Sequence, residues 1–365
     1  TQSGLHRLRD GKLRAYTRED GLSERLVTAI LEDRAGRIWV GNSEGLHRLE
    51  GERFVSYGKR DGLPGDFVLT LAEGRDGSLW IGTYDSGLAR WKDGRFTTYR
   101  GTGLEQQPIA CLYEDADGTL WIGTFGGGLV RMRNDRFDAL TTRQGLFDDN
   151  VLNIVEDDRH RLWMSSNLGL FRVEKNDIEA IVDGRASSLS SVVYGKNDGM
   201  RSAEANGGGI AARHRDGRLW FPTQKGVVVV DPERLERNAH PPPVVIERLL
   251  VGENDVALRA PIALSPGSAD LEVHYSAPSF VASEKVMFRY RLEGYETGWV
   301  DAGSRRVAYY TNLEPGEYLF RVIARNEDGV SNEAGANLAF SIRPHFYQTT
   351  WFLLLCGTAL LFGIW

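Results

Sequence analysis

The sequence predicts an all-β chain: a β-propeller of four-stranded blades, then an immunoglobulin-like β-sandwich, then the start of a transmembrane helix. Three observations carry that prediction. Tryptophan recurs in one context, at "GRIWVGN" (Trp39), "GSLWIGT" (Trp80), "GTLWIGT" (Trp121), "HRLWMSS" (Trp163) and "GRLWFPT" (Trp220), at intervals of 41, 41, 42 and 57 residues. Pro241 to Pro243 are followed by alternating apolar runs with no helical period. The final stretch, "TTWFLLLCGTALLFGIW", carries no charge.

The tryptophan unit extends in both directions. Upstream lie "DGLS", "DGLP", "TGLE" and "QGLF"; downstream lie "EGLHRL", "SGLARW", "GGLVRM" and "LGLFRV", then a charged turn and an aromatic run such as "RFVSY". Each unit divides into four apolar runs, for example "VTAILED", "RIWVGN", "GLHRL" and "RFVSY", separated by Gly, Asp and Asn. Four strands in roughly 40 to 45 residues is the pattern of a propeller blade. In "EDADGTLWIGTFGGGLVRM" (114–132), "DADG" is then the turn between the first two strands, Trp121 packs between blades, and Gly126 to Gly128 bend the chain into the third strand.

The departures from the repeat are informative. An excess of about 15 residues lies around "EKNDIEAIVDGRASSLSS", and the last unit lacks the "GLxR" arginine. Five tryptophan units plus a half unit at 4–17 place a propeller over residues 1–238. Ring closure leads us to expect one or two further blades upstream of Thr1.

Bulk properties exclude several classes. With 41% hydrophobic and 26% charged residues in 365, the chain is globular rather than disordered. A net charge of -6 without a basic stripe argues against nucleic acid as a partner. Cys111 and Cys356 are too few for a disulfide framework or zinc site. His6, His47, His160, His214, His240, His274 and His345 are scattered without ligand spacing, so no metal and no cofactor are assigned. "GTFGGGL" lacks the Lys and Ser/Thr of a phosphate loop.

After the proline linker, "VVIERLLV", "DLEVHYSA", "KVMFRYRLEG", "RVAYYTNL", "EYLFRVIARN" and "LAFSIRP" read as strands of an immunoglobulin-like sandwich over 244–343. Residues 349–365 are apolar all round and approach the roughly 17 to 25 residues that span a bilayer. Phe346, Tyr347, Trp351 and Phe352 at the entry are residue types of the membrane interface, so the stretch reads as a truncated transmembrane helix.

The stretch "VMFRYRLEGYETGW...AYYTNLEPGEYLFRVIARNEDGVSN...FSIRPHFYQTTWF" resembles the three-tyrosine (Y_Y_Y) domain of two-component sensors, with its tyrosines at Tyr290, Tyr309 or Tyr310, and Tyr318. The repeats are similar to the regulator propeller repeats of the same family. That resemblance implies the extracytoplasmic portion of a bacterial cytoplasmic (inner) membrane sensor, residues 1–345 lying outside, with a histidine kinase or diguanylate cyclase following the helix. It also implies a homodimer in the full-length receptor. "DGxLW" is similar to the aspartate box of sialidase propellers as well, but its Asp falls one place later and no arginine cluster stands out as a carboxylate clamp.

Strand reversal places a candidate site. In a four-stranded blade the loop entering the first strand and the loop joining the second to the third share one face. The entry loops contribute Arg25, Asp66, Gln107, Asp149, Asn150, Glu204 and Asn206; the second set contributes Asn42, Tyr84, Asp85, Phe125, Asn167 and Gln224. Rings, amides and carboxylates together suit an extracytoplasmic ligand such as a glycan, or a protein. The opposite face carries plain charged turns, "DRAGR", "ARWKDGR" and "RNDR". Two readings follow: a receptor module that senses a ligand and contains no catalytic residue of its own, or a membrane-tethered carbohydrate-active enzyme or glycan-binding propeller, for which paired carboxylates such as Asp148 and Asp149 would be available.

Overall fold

Each tryptophan repeat folds as an antiparallel meander, and the reason lies in its alternating apolar positions. The computed structural model describes residues 4–22, 26–206, 209–235, 238–259, 261–268, 270–279 and 283–364. The Trp39 sheet runs Val27–Glu32, Ile38–Asn42, Gly45–Glu50, Arg53–Tyr57, each strand pairing with the next. The Trp80, Trp121 and Trp163 sheets repeat this order with four strands each. The Trp220 sheet has three described strands, and Leu5–Arg9 with Lys12–Tyr16 forms a two-stranded sheet before the first repeat.

Successive sheets meet along their first strands, Val27–Glu32 against Val68–Glu73 and that strand against Ile109–Glu114. The first strand is therefore innermost, the stacking of propeller blades. The glycine two residues after Trp39, Trp80 and Trp121 permits the approach: a Cβ on Gly82 would lie 2.6 Å from Ile109 of the next sheet. Trp39, Trp121 and Trp163 are fully buried. The "GLxR" arginine is their cross-strand neighbour, Trp39 opposite Arg48 and Trp163 opposite Arg172, and its guanidinium lies 5.5 and 5.9 Å from the respective rings.

The excess residues after Trp163 contain a helix, Lys175–Val182, which buries Ile178 and packs Ile181 and Val182 against the core of the Trp121 and Trp163 sheets. Apolar residues three and four apart, Ile178 with Ile181 and Val182, form its inward face. Its polar residues reach the preceding sheet, where Glu179 accepts from Arg131 at 3.0 Å and Lys175 donates to Asp115 at 2.6 Å, while Lys175 also donates to Glu156 of its own sheet at 3.2 Å.

The chain divides into two compact units, Thr1–Leu235 and Glu236–Trp365. The second is a β-sandwich. One sheet orders Asn254–Val256, Val245–Val251, Asp270–Ser276 and Val307–Thr311; the other orders Ile262–Leu264, Ser331–Ile342, Gly316–Arg325, Met287–Glu293 and Val300–Gly303. Aromatic rings fill the space between them. Tyr275 of the first sheet lies 5.1 Å from Phe288 and 6.0 Å from Phe320 of the second.

Tyr290, Tyr310 and Tyr318 are buried while Tyr309 points out, because neighbours on a strand face opposite sides. The three buried hydroxyls are bonded: Tyr290 accepts from Arg305, Tyr310 donates to Glu296, and Tyr318 donates to the Glu314 carbonyl. The proline segment is also fastened to the sandwich. Buried Asn326 donates to the carbonyls of Asn238 and His240, and Asn332 donates to that of Pro242.

A helix of 15 residues, Thr350–Ile364, ends the described chain. Among the described residues no helix is long and apolar enough to cross a membrane. The stretch expected to span a membrane, 349–365, forms this short helix, and a span is not shown.

Candidate ligand-binding face

Backbone hydrogen bonds lace the entry loops to the loops between second and third strands. Tyr84 N–H donates to Phe67 O at 2.9 Å, Phe125 N–H to Pro108 O at 3.0 Å, and Gln224 N–H to Glu204 O at 3.1 Å. Neighbouring sheets are joined in the same way: Gly126 and Gly128 donate to Asp149 O at 3.1 and 2.8 Å, and Ala205 donates to Ser166 O at 3.0 Å. The two loop sets therefore share one end of the sheets, where strand reversal puts them.

The predicted residues separate into two groups. Some close turns. Asp149 accepts from Thr142 N–H at 2.7 Å and Thr142 Oγ1 at 3.2 Å, and Asp66 accepts from Lys59 N–H at 3.2 Å; each carboxylate thus holds the one-turn helix of the entry loop before it. Asn42 is buried and its side chain accepts from Glu44 N–H at 2.8 Å. Asn150 donates its amide to Asp148 at 3.0 Å and pairs by backbone with Phe125. The Gln107 side chain lies against Gly127, where an added Cβ would come within 3.2 Å of it.

Others are displayed. Tyr84 is 51% exposed and stacks on Phe67 with ring centres 5.2 Å apart and planes 19° from parallel. Phe125 is 46% exposed. Asp85 is exposed and accepts from Ser86 Oγ at 2.9 Å, and Glu204 is exposed at the entry to the Trp220 sheet. Gln224 donates to Asn206 at 2.7 Å and Asn206 donates to Asn167 at 2.7 Å, so three side-chain amides form a chain across two sheets. Arg25 lies outside the described residues.

Sequence reasoning missed three features of this face. Phe67 supplies the ring on which Tyr84 rests. Leu168 and Ile210 are exposed beside the amide chain's loops. Asp148 is buried, and its Oδ2 has no hydrogen-bond partner. The paired carboxylates of "FDDN" signalled a loop, but not which of the two turned inward.

The opposite end is built from clasps. Trp39, Trp121 and Trp163 donate their indole N–H to Asp33, Asp115 and Asp157, each six residues earlier, at 2.8, 2.9 and 2.7 Å. Burial alone would raise the Asp115 carboxyl, but hydrogen bonds from Lys175 and Trp121 outweigh it and hold it below the usual range. Asp157 is lowered against the same burial by Trp163 and Arg161. Among the described residues no group of His, Cys, Asp and Glu is arranged to hold a metal ion.

Comparison with known proteins matches both halves. The two-component regulator propeller model matches residues 21–44, 62–85 and 103–126, and the Y_Y_Y domain model matches 279–343. The chain is 26% identical over 234 residues to histidine kinase P4 of Formosa agariphila, an alignment covering 60% of this chain and 16% of that protein. It superposes with a TM-score of 0.67, at 22% identity, on the extracellular domain of a candidate hybrid two-component system of B. thetaiotaomicron, covering 87% of this chain and 44% of that one. The chain thus spans less than half of either relative. Its repeats match the two-component regulator propeller model and its sandwich matches the Y_Y_Y domain model, in that order along the chain.

Proposed function

We propose that this chain is the extracytoplasmic sensing region of a membrane-bound two-component receptor. Residues 1–238 act as a propeller that receives a ligand, 244–343 as the sandwich that relays its state, and 349–365 as part of a membrane helix leading to a cytoplasmic kinase or cyclase. The observation that carries the reading is the entry-loop face. It displays Tyr84, Phe125 and the Asn167–Asn206–Gln224 amide chain on loops laced into a rigid frame. Rings with an adjoining row of amides recognise a polyhydroxylated ligand such as a glycan through stacking and paired hydrogen bonds.

Signalling requires the ligand to favour one of two arrangements of the receptor, which a homodimer supplies as two relative positions of its helices. The test pairs binding with topology. A panel of oligosaccharides is titrated onto the chain and onto the Tyr84→Ala/Phe125→Ala variant, and a periplasm-active reporter is fused before Thr349 and after Trp365. Loss of binding in the variant, with reporter activity only at the first fusion, supports the receptor. Binding that survives the double substitution sinks the assigned face, and activity at both fusions removes the membrane segment.

A further inference from the structure

We infer that the seam between the Trp80 and Trp121 sheets, on the charged-turn face, is a second ligand site, built for a zwitterion of the α-amino-acid type with an apolar side chain. The seam holds a cavity of about 440 Å³, within the range of small-ligand sites. Its floor is apolar: Trp80, Leu120 and Met132 are all buried.

The cavity exists because two repeat positions are filled differently here. At the Trp39 seam, Trp91 of the following sheet lies 4.8 Å from Trp39. The corresponding residue of the Trp121 sheet is Met132, a slimmer side chain over Trp80. At the next seam Lys175 lies 6.0 Å from the Trp121 ring. The aspartate that sits six residues before Trp39, Trp121 and Trp163 is Gly74 before Trp80. The Trp80 seam is thus short of a ring, and the carboxylate its indole bonds comes from the facing sheet as Glu114.

The charges around this floor are segregated by wall. The Trp80 sheet presents Arg75 and Arg90, while its Asp76 is occupied by Arg90 and Lys92. The Trp121 sheet presents Glu114, Asp117 and Asp135. Arg90 Nε is buried with no hydrogen-bond partner. That atom is closed off and Arg90 is paired with Asp76, so the exposed Arg75 is the guanidinium open to a carboxylate, and the facing acids suit an ammonium. Glu114 already accepts from the Trp80 indole and the Arg75 N–H, and Asp117 lies 3.8 Å from Lys175, which leaves Asp135 as the freer acceptor. A plain anion would meet the acidic wall and a plain amine the arginines; only a molecule carrying both charges, with an apolar group for the floor, satisfies all three surfaces.

The test uses the full chain in detergent, with L-leucine, 4-methylpentanoate and isoamylamine as probes, read by the NMR resonance of the Trp80 indole N–H. Leucine is expected to shift it saturably, with both half-ligands at least about tenfold weaker. Met132→Trp, which fills the floor as Trp91 does at the Trp39 seam, abolishes the shift. Asp135→Asn, in an exposed turn, weakens it about tenfold without altering thermal unfolding. No saturable response to leucine overturns the proposal. So does equal binding of either half-ligand, or unchanged binding by Met132→Trp.

Discussion

Trp80 donates its indole N–H to Glu114 of the neighbouring sheet at 2.7 Å, whereas Trp39, Trp121 and Trp163 bond an aspartate within their own sheet. Glu114 also accepts the Arg75 N–H at 3.1 Å, so one side chain closes the seam from across it. Glu114→Ala leaves both donors unpaired and is expected to cost about 1–3 kcal/mol. Asp157→Ala removes the acceptor of Trp163 and also the partner of buried Arg161, and is expected to cost more, about 3–5 kcal/mol. Chemical denaturation of both variants checks the order.

His47 is buried on the third strand of the Trp39 sheet, and burial pushes its pKa down to about 4. The unfolded chain, with an ordinary histidine pKa of about 6.5, therefore takes up a proton at a pH where the folded chain does not. Stability is unaffected above that pKa and falls as pH drops from about 6.5 to 4, by on the order of 3 kcal/mol in all. The His47→Gln variant is expected to lose this slope. Denaturation midpoints measured at pH 7 and pH 5 for both proteins check it.

Gly128 has a φ of +80° and no room for a methyl group: a Cβ there would lie 2.1 Å from the Leu140 carbonyl oxygen. Gly126 has a φ of +91° with nothing within 4 Å. Gly126→Ala is expected to cost about 1–2 kcal/mol from its backbone conformation alone. Gly128→Ala carries the same cost plus displacement of the fourth strand, and is expected to exceed it by about 1–3 kcal/mol. Thermal unfolding of the pair separates the two contributions.

Asn326 holds the segment before the sandwich with two donated hydrogen bonds, at 2.6 and 3.1 Å, and accepts the N–H groups of Asp328 and Val330. Asn326→Ala strips four bonds from a buried site and is expected to cost about 2–4 kcal/mol. Its signature is local. Amide exchange is expected to accelerate in the turn at 326–330, while the five-stranded sheet unfolds later.

Much of this architecture was legible because one rule, an apolar side chain on every second residue, repeats with a marker tryptophan. The strands around Trp39, Trp80 and Trp121 and the shared face of their loops follow from that alternation and from strand reversal. Residues whose roles depend on partners far along the chain were not legible. Asp66 and Asp149 look like displayed carboxylates but hold turns, because the turn N–H groups they meet lie seven residues earlier. The amide chain joins Asn167 to Asn206, and no local pattern links positions 39 apart. Helix Lys175–Val182 was concealed for a different reason. It spans two turns with one buried residue, too short for its period to stand out from an insertion.

That short helix has a mechanical consequence. Glu179 and Lys175 rivet the Trp121 sheet to the Trp163 sheet through partly or wholly buried ion pairs, whereas the Trp80 seam is spanned at the same level by Glu114 over a hollow. The two seams are therefore fastened by different means: buried ion pairs from the short helix at one, and at the other an apolar core of Trp80, Leu120 and Met132 closed by a single carboxylate.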